Sequence, residues 1–221
     1  MDFDFKPITL LKGHHDDTAR TGHGCFMDVV SYLNGDVIIT DGSPCVCVCV
    51  RSLAVALNDS LPLSLRNQFL RPFILRALGS ATHDLGVLSK RYESLRECTI
   101  ALLALIGSTR DTGYFYALNF GLESPGDLLN RALEPISCTL ELRRSTTSMA
   151  LAVEKILEYP VIPSTFKDAA MHICLHYLDE VLPPLEQLPP PTVDVQSRYQ
   201  ALVDMARAGV KPVPWPKPMT A

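Results

Sequence analysis

Residues 84–106 read DLGVLSKRYESLRECTIALLALI. Leu85, Leu88, Tyr92, Leu95, Leu102 and Ile106 recur at helical steps, which predicts one long α-helix with a single apolar stripe. From Thr99 onward the segment is apolar on every side, so its last turns belong in the centre of a core. Working outward, the flanking segments carry the same period. Towards the C-terminus, Ser124-Pro125 opens a helix that Pro135 breaks, and residues 136–158 continue as a helix stopped by Pro160 and Pro163. Ser164 caps a further helix reaching Leu182, where Pro183-Pro184 ends it.

Towards the N-terminus, residues 63–78 show Leu65, Phe69, Phe73 and Leu78 among three arginines. Residues 24–33 place Phe26, Val29, Val30 and Leu33 on one face, with Asn34-Gly35 as a C-terminal stop. The run Cys45-Val46-Cys47-Val48-Cys49-Val50 alternates like a strand. Ser43 followed by Pro44 nevertheless reads as an N-cap and a first-turn proline, and Val46, Val50, Leu53 and Leu57 keep helical spacing. A helix over 44–58 is the preferred reading, with a short strand at Val37-Ile38-Ile39 before it. Strand signals are otherwise few, and the fold class expected is all-α.

The chain has 221 residues, of which 47% are hydrophobic, enough for one domain with a sizeable core. Its net charge of -4 argues against a generally basic nucleic-acid binder. Residues 63–96 are the one basic island, with six basic side chains (Arg66, Arg71, Arg76, Lys90, Arg91, Arg96) against two acidic ones, and its arginines or Arg143-Arg144 could meet phosphates. Arg66, Arg71 and Arg76 step by five, rotate around the helix axis and do not line a face that could read DNA. No segment is apolar over the roughly 18 residues that a membrane span needs. The start MDFDFKPITLLKG does not look like a signal peptide, and seven irregularly spaced cysteines read as reduced thiols, so a cytoplasmic protein is expected.

Nine of the 17 prolines lie in residues 183–221, which divides the chain into a helical body at 1–182 and a largely extended tail at 183–221, interrupted by a short helix at 195–208. The tail holds the only tryptophan, Trp215, among Pro212, Pro214 and Pro216. A pre-extended strand with one large aromatic is suited to docking on a protein partner, and those four residues are the expected contact.

Leu11-Lys12-Gly13-His14, Gly24-Cys25-Phe26-Met27-Asp28, Tyr32-Leu33-Asn34-Gly35, Pro44-Cys45-Val46 and Leu57-Asn58-Asp59 together resemble an uncharacterised family of proteins from actinobacteria and their phages. The resemblance covers about residues 10–80. It departs after Gly35, where the family often has a tryptophan and this chain has Val37-Ile38-Ile39. It implies a bacterial or phage-infected cytosol and brings no catalytic residue with it.

Three constellations have the residue types of a metal site. His14, His15 and His23 with Cys25 could be completed by Cys45 and Cys49, one helical turn apart, to hold zinc, although the compact CxxC scaffold is absent. His83-Asp84 at a helix start resembles the metal-binding dyad of HD-type phosphohydrolases, where a divalent ion activates water; His14, His15 or His23 upstream and Asp111 downstream would be the further ligands, although the usual spacing is shorter than the sixty or more residues here. The competing reading makes Asp84 an acidic helix-start residue and His83 a solvated one. His172 and His176 sit at i, i+4, but Ile173 stands where a metalloprotease needs glutamate. No nucleophile elbow, Walker loop or dinucleotide fingerprint is present.

With no complete catalytic set, the expected function is that of a non-catalytic helical protein acting through protein–protein contacts. It would be a phage-encoded accessory or host-interaction protein, assembled as a homo-oligomer and needing no cofactor. The alternative is a metal-dependent HD-like phosphohydrolase, or a domain stabilised by zinc or another divalent metal bound by the His-rich loop.

Overall fold

The computed structural model describes residues 3–15, 17–107, 125–133, 139–158, 162–187 and 193–209. Helices dominate: α1 (Thr18–Thr21), α2 (Phe26–Asn34), α3 (Val48–Ser60), α4 (Leu63–Leu70), α5 (Ile74–Ala77), α6 (Leu85–Gly107), α7 (Pro125–Ala132), α8 (Thr139–Glu158), α9 (Ser164–Val181) and α10 (Val195–Arg207). Among the described residues the only β pairing is an isolated parallel bridge between Leu10 and Gly24. The chain is therefore all-α, and none of the described helices is long and apolar enough to cross a membrane.

The core is built around α3, α6, α8 and α9. Helix α3 lies along α8, α8 also carries α7, and α6 packs along α9. Leu53 and Leu57 of α3, Leu95 and Leu102 of α6, Val153 and Ile156 of α8, and Cys174 and Leu178 of α9 are fully buried within one contiguous cluster. Only the second half of α6 is central. Leu85 is exposed and Leu88 only half-buried, so the stripe read from the sequence enters the core near Leu95.

Four local expectations change. Helix α3 begins at Val48, with Cys47 as its N-cap, not at Pro44. The segment before it is pinned by the loop that leads into α6: Ala81 N donates to Cys45 O at 2.9 Å, and Cys47 N donates to Ser80 Oγ at 3.1 Å. Those backbone groups are spent on tertiary partners instead of a first helical turn. Cys45 and Cys49 thus do not share one helical turn. The helix over 63–78 is interrupted by a 3-10 turn at Arg71–Phe73, where Pro72 removes a donor. Val37-Ile38-Ile39 is not a strand, and Pro163 rather than Ser164 holds the cap position of α9.

The composition changes at residue 182, but the packing carries on across it. Helix α10 buries Val195, Tyr199, Leu202, Val203 and Ala206 against α1 and α2. The Tyr199 ring meets Phe3 and Phe5 edge-on, and its hydroxyl donates to Asp4 O at 2.8 Å, so residues 3–5 are joined to α10. Pro212, Pro214, Trp215 and Pro216 lie outside the described residues.

Candidate functional site

The polar residues of the first third converge on the start of α2. Cys25 is its N-cap, and its sulfur accepts from Asp28 N at 3.3 Å. The Asp28 carboxylate reaches back to Cys25 N at 2.9 Å, closing a capping box in which sulfur replaces the usual hydroxyl. The same carboxylate accepts from His15 N at 2.7 Å and lies 2.5 Å from His14 Nδ1. Asp28 is wholly buried, while the His14 side chain is 38% exposed.

Side chains from α3 and α4 complete this network. Asn58 Oδ1 accepts from Phe26 N, Asn58 Nδ2 donates to Leu11 O, and Asp59 accepts from Gly13 N. Asn67 accepts from Leu10 N and Arg66 donates to Leu10 O. The extended segment before α1 has almost no secondary structure to pair with, so side chains satisfy its buried backbone.

The residues read as metal ligands are dispersed among separate partners. His14 is held by Asp28, and His15 Nε2 is 2.9 Å from Lys12 O. His23 Nδ1 accepts from Thr9 N at 3.0 Å; burial, with Arg71 adding to it, lowers its pKa. Burial raises the Cys25 thiol well above its ordinary value, with Asp28 reinforcing it. Cys45 sits 3.2 Å from Ser43 Oγ, and Cys49 is inside the core. His83 is exposed, and Asp84 Oδ1 accepts from the N–H groups of Gly86 and Val87, the arrangement of an acidic helix start. His172 lies edge-on to Phe69, and His176 pairs with Glu180. Asp111 lies outside the described residues. Among the described residues, no three His, Cys, Asp or Glu side chains are gathered as a metal ion requires.

Four arginines of the basic island turn inward. Arg66 donates to Leu10 O and Leu61 O, and Arg71 to Ile8 O. Arg76 donates to the carbonyls of Asp179, Leu182 and Pro183 and to the Asp179 carboxylate, while Arg91 donates to Val181 O at 3.2 Å and Ser80 O at 2.6 Å. Arg76 and Arg91 thereby cap the C-terminus of α9, where the helix dipole favours a cation. Donors committed to main-chain carbonyls are not presented to phosphates; Lys90 and Arg96 remain exposed.

Sequence reading missed a second constellation, at the start of α3. Cys47 and Cys49 each shift the other's pKa there, and the charge of Arg91 of α6 lowers both. Arg91 is only 6% exposed and pairs with none of the described carboxylates. The Tyr177 hydroxyl is buried without a hydrogen bond of ordinary geometry. The neighbouring Cys49 thiol lowers the Cys47 pKa to about 5 against the cost of burial, and Arg91 adds to the effect. Cys49 is correspondingly held protonated by its interaction with Cys47 and by burial. Cys98 of α6 and Cys174 of α9 are both buried, and Cys174 is kept protonated by Cys98 and by burial. The only sequence signal for this site was the Cys-x-Cys spacing, and nothing local connects Arg91 or Tyr177 to it. Comparison with protein-family models, curated proteins and solved structures gives no match.

Proposed function

We propose that the chain is a non-catalytic helical protein that acts through protein–protein contacts and self-assembles as a homo-oligomer. The observation that carries this reading is the loop after α2. Val37 is 101% exposed and Ile38 is 76% exposed, side by side at its tip. The base of that loop is braced. Asp36 accepts from Ser31 Oγ and Asn34 Nδ2, Thr40 N donates to Ser31 Oγ, and Arg51 donates to Gly42 O. Two β-branched side chains held out on a braced loop lose little freedom on docking, and that favours association. His14, His15, His23 and Asp84 are engaged within the fold, which supports the same reading. The resemblance of residues 10–80 adds a setting: the cytosol of an actinobacterium or of a phage-infected cell, with an accessory or host-interaction role.

The test is sedimentation equilibrium of the full chain at about 10 μM, a concentration that detects micromolar association. The wild type is expected to associate. The double variant Val37→Asp/Ile38→Asp is expected to be monomeric with an unchanged helical circular-dichroism spectrum. A monomeric wild type, or a variant that associates equally well, would overturn the proposal.

A further inference from the structure

The contact between His14 and Asp28 occupies only one nitrogen of the imidazole. Asp28 is wholly buried, and its Oδ2 accepts from Cys25 N at 2.9 Å and from His15 N at 2.7 Å. Its Oδ1 lies 2.5 Å from His14 Nδ1. A carboxylate that already holds two amide donors takes the proton of Nδ1 as its third hydrogen bond, which leaves the ring's lone pair at Nε2. The His14 side chain is 38% exposed, so this is a ring open to solvent with a buried anion behind it.

The backbone holds the ring in place. Gly13 N donates to Asp59 Oδ1 at 2.8 Å and His15 N to Asp28, so the residues on both sides of His14 are tied to α3 and α2. A Cβ added to Gly13 would meet nothing within 4 Å, so the loop can be approached from that side. Among the described residues, no other histidine has a buried carboxylate behind it. His15 spends Nε2 on Lys12 O, and His23 spends Nδ1 on Thr9 N. His172 lies edge-on to Phe69, His83 is exposed, and the carboxylate beside His176, that of Glu180, is itself 43% exposed.

Attack by Nε2 on an electrophile leaves positive charge on the ring, and the carboxylate at Nδ1 stabilises that charge where it develops. Acyl transfer also needs donors for an oxyanion, and the amides flanking His14 are already spent. Phosphoryl transfer asks less of the site, because its transition state is loose and depends mainly on positioning. We propose that His14 is a phosphoryl-acceptor site, with Nε2 as the nucleophile, Asp28 as a positioning residue and a phosphoramidate-class compound as the donor. The Nε2 lone pair forms a bond to phosphorus while the donor's P–N bond breaks. The donor nitrogen, already protonated, leaves with the bonding pair as a neutral amine. The phosphorylated ring keeps its Nδ1 proton on Asp28, and its charged oxygens stay in water.

The test treats the full chain with potassium phosphoramidate at neutral pH and follows acid-labile phosphorylation by mass spectrometry and phosphorus NMR. His14 should be modified first, at Nε2, and at least about ten times faster than His83, the scale on which a carboxylate behind an imidazole alters its strength as a ligand. His14→Gln should remove the fast product and leave the slow modification of His83 unchanged. Asp28→Asn should slow modification of His14 about tenfold and let Nδ1 react as well. Should Asp28→Asn fail to fold, the two rates within the wild type decide. Modification of His14 no faster than that of His83, attachment at Nδ1 in the wild type, or a folded Asp28→Asn variant that reacts as fast as the wild type would overturn the proposal.

Discussion

The buried carboxylate of Asp28 lies 2.5 Å from Nδ1 of His14, and that contact fastens the N-terminal segment to the start of α2. Two backbone donors, from Cys25 and His15, share the carboxylate. Asp28→Ala would strand all three groups, so a loss of about 3–5 kcal/mol is expected. His14→Ala removes only the half-exposed partner and should cost about 1 kcal/mol or less. Urea denaturation measures both; similar losses for the two variants would show that the imidazole, not the backbone donors, accounts for the network's stability.

Helix α10 should be released by a single methyl group. A Cβ on Gly22, which has φ +71°, would lie 2.4 Å from Leu202 O and 2.5 Å from Ala206 N, both backbone atoms of α10. Gly209 has nearly the same φ, +70°, with nothing within 4 Å of the added carbon. Gly209→Ala should therefore cost about 1–2 kcal/mol, the conformational penalty alone. Gly22→Ala should cost clearly more and raise hydrogen exchange across 195–207. Equal costs would mean that α10 is not seated where the packing places it.

Leu102 is fully buried where α6 meets the rest of the core. Leu102→Ala should cost about 2–5 kcal/mol by lost contact and cavity. Leu85, exposed at the start of the same helix, should tolerate alanine within about 0.5 kcal/mol. Denaturant midpoints that fail to separate the two would misplace the core along α6.

Stability should fall as the solution is acidified below neutrality. His23 has a lowered pKa from burial, and its Nδ1 must stay unprotonated to accept from Thr9 N. A depressed histidine binds its proton more readily in the unfolded chain, so its contribution is full above its ordinary pKa of 6.5 and is lost as pH falls through the folded value. Cys47, lowered from 9.0 to about 5, acts in the same direction across that wider window. Cys49, raised by Cys47 and by burial, acts oppositely above its ordinary pKa of 9.0. Thermal melting is expected to show Tm dropping from pH 7 towards pH 5, less steeply in Cys47→Ser. A Tm that rises over that interval would contradict both assignments.

Periodicity and punctuation alone made the helices legible. Leu95, Leu102 and Ile106 fall on one face by spacing, Gly35 with its φ of +81° ends α2 as its position after Asn34 predicts, and Asp84 caps α6 as an acidic residue at a helix start should. These are effects of neighbours within one turn, so local sequence contains them.

What the sequence could not settle was every choice between a local partner and a distant one. Cys45 and Cys47 looked like the first turn of a helix, but Ala81 and Ser80 claimed their backbone groups from more than thirty residues away. The arginines of the basic island looked available, but carbonyls at the far end of α9 took Arg76 and Arg91. The short helix expected at 195–208 is there as α10, but its packing was not readable: Tyr199 and Leu202 find apolar surface on α1, α2 and Phe5. The helical course of α2, α6 and α9 was legible, because it depends on interactions three and four residues apart. Which carbonyls take the buried arginines and where the N-terminal segment is anchored depend on the packing, because desolvated charges and unpaired backbone groups take whatever partner it brings within reach.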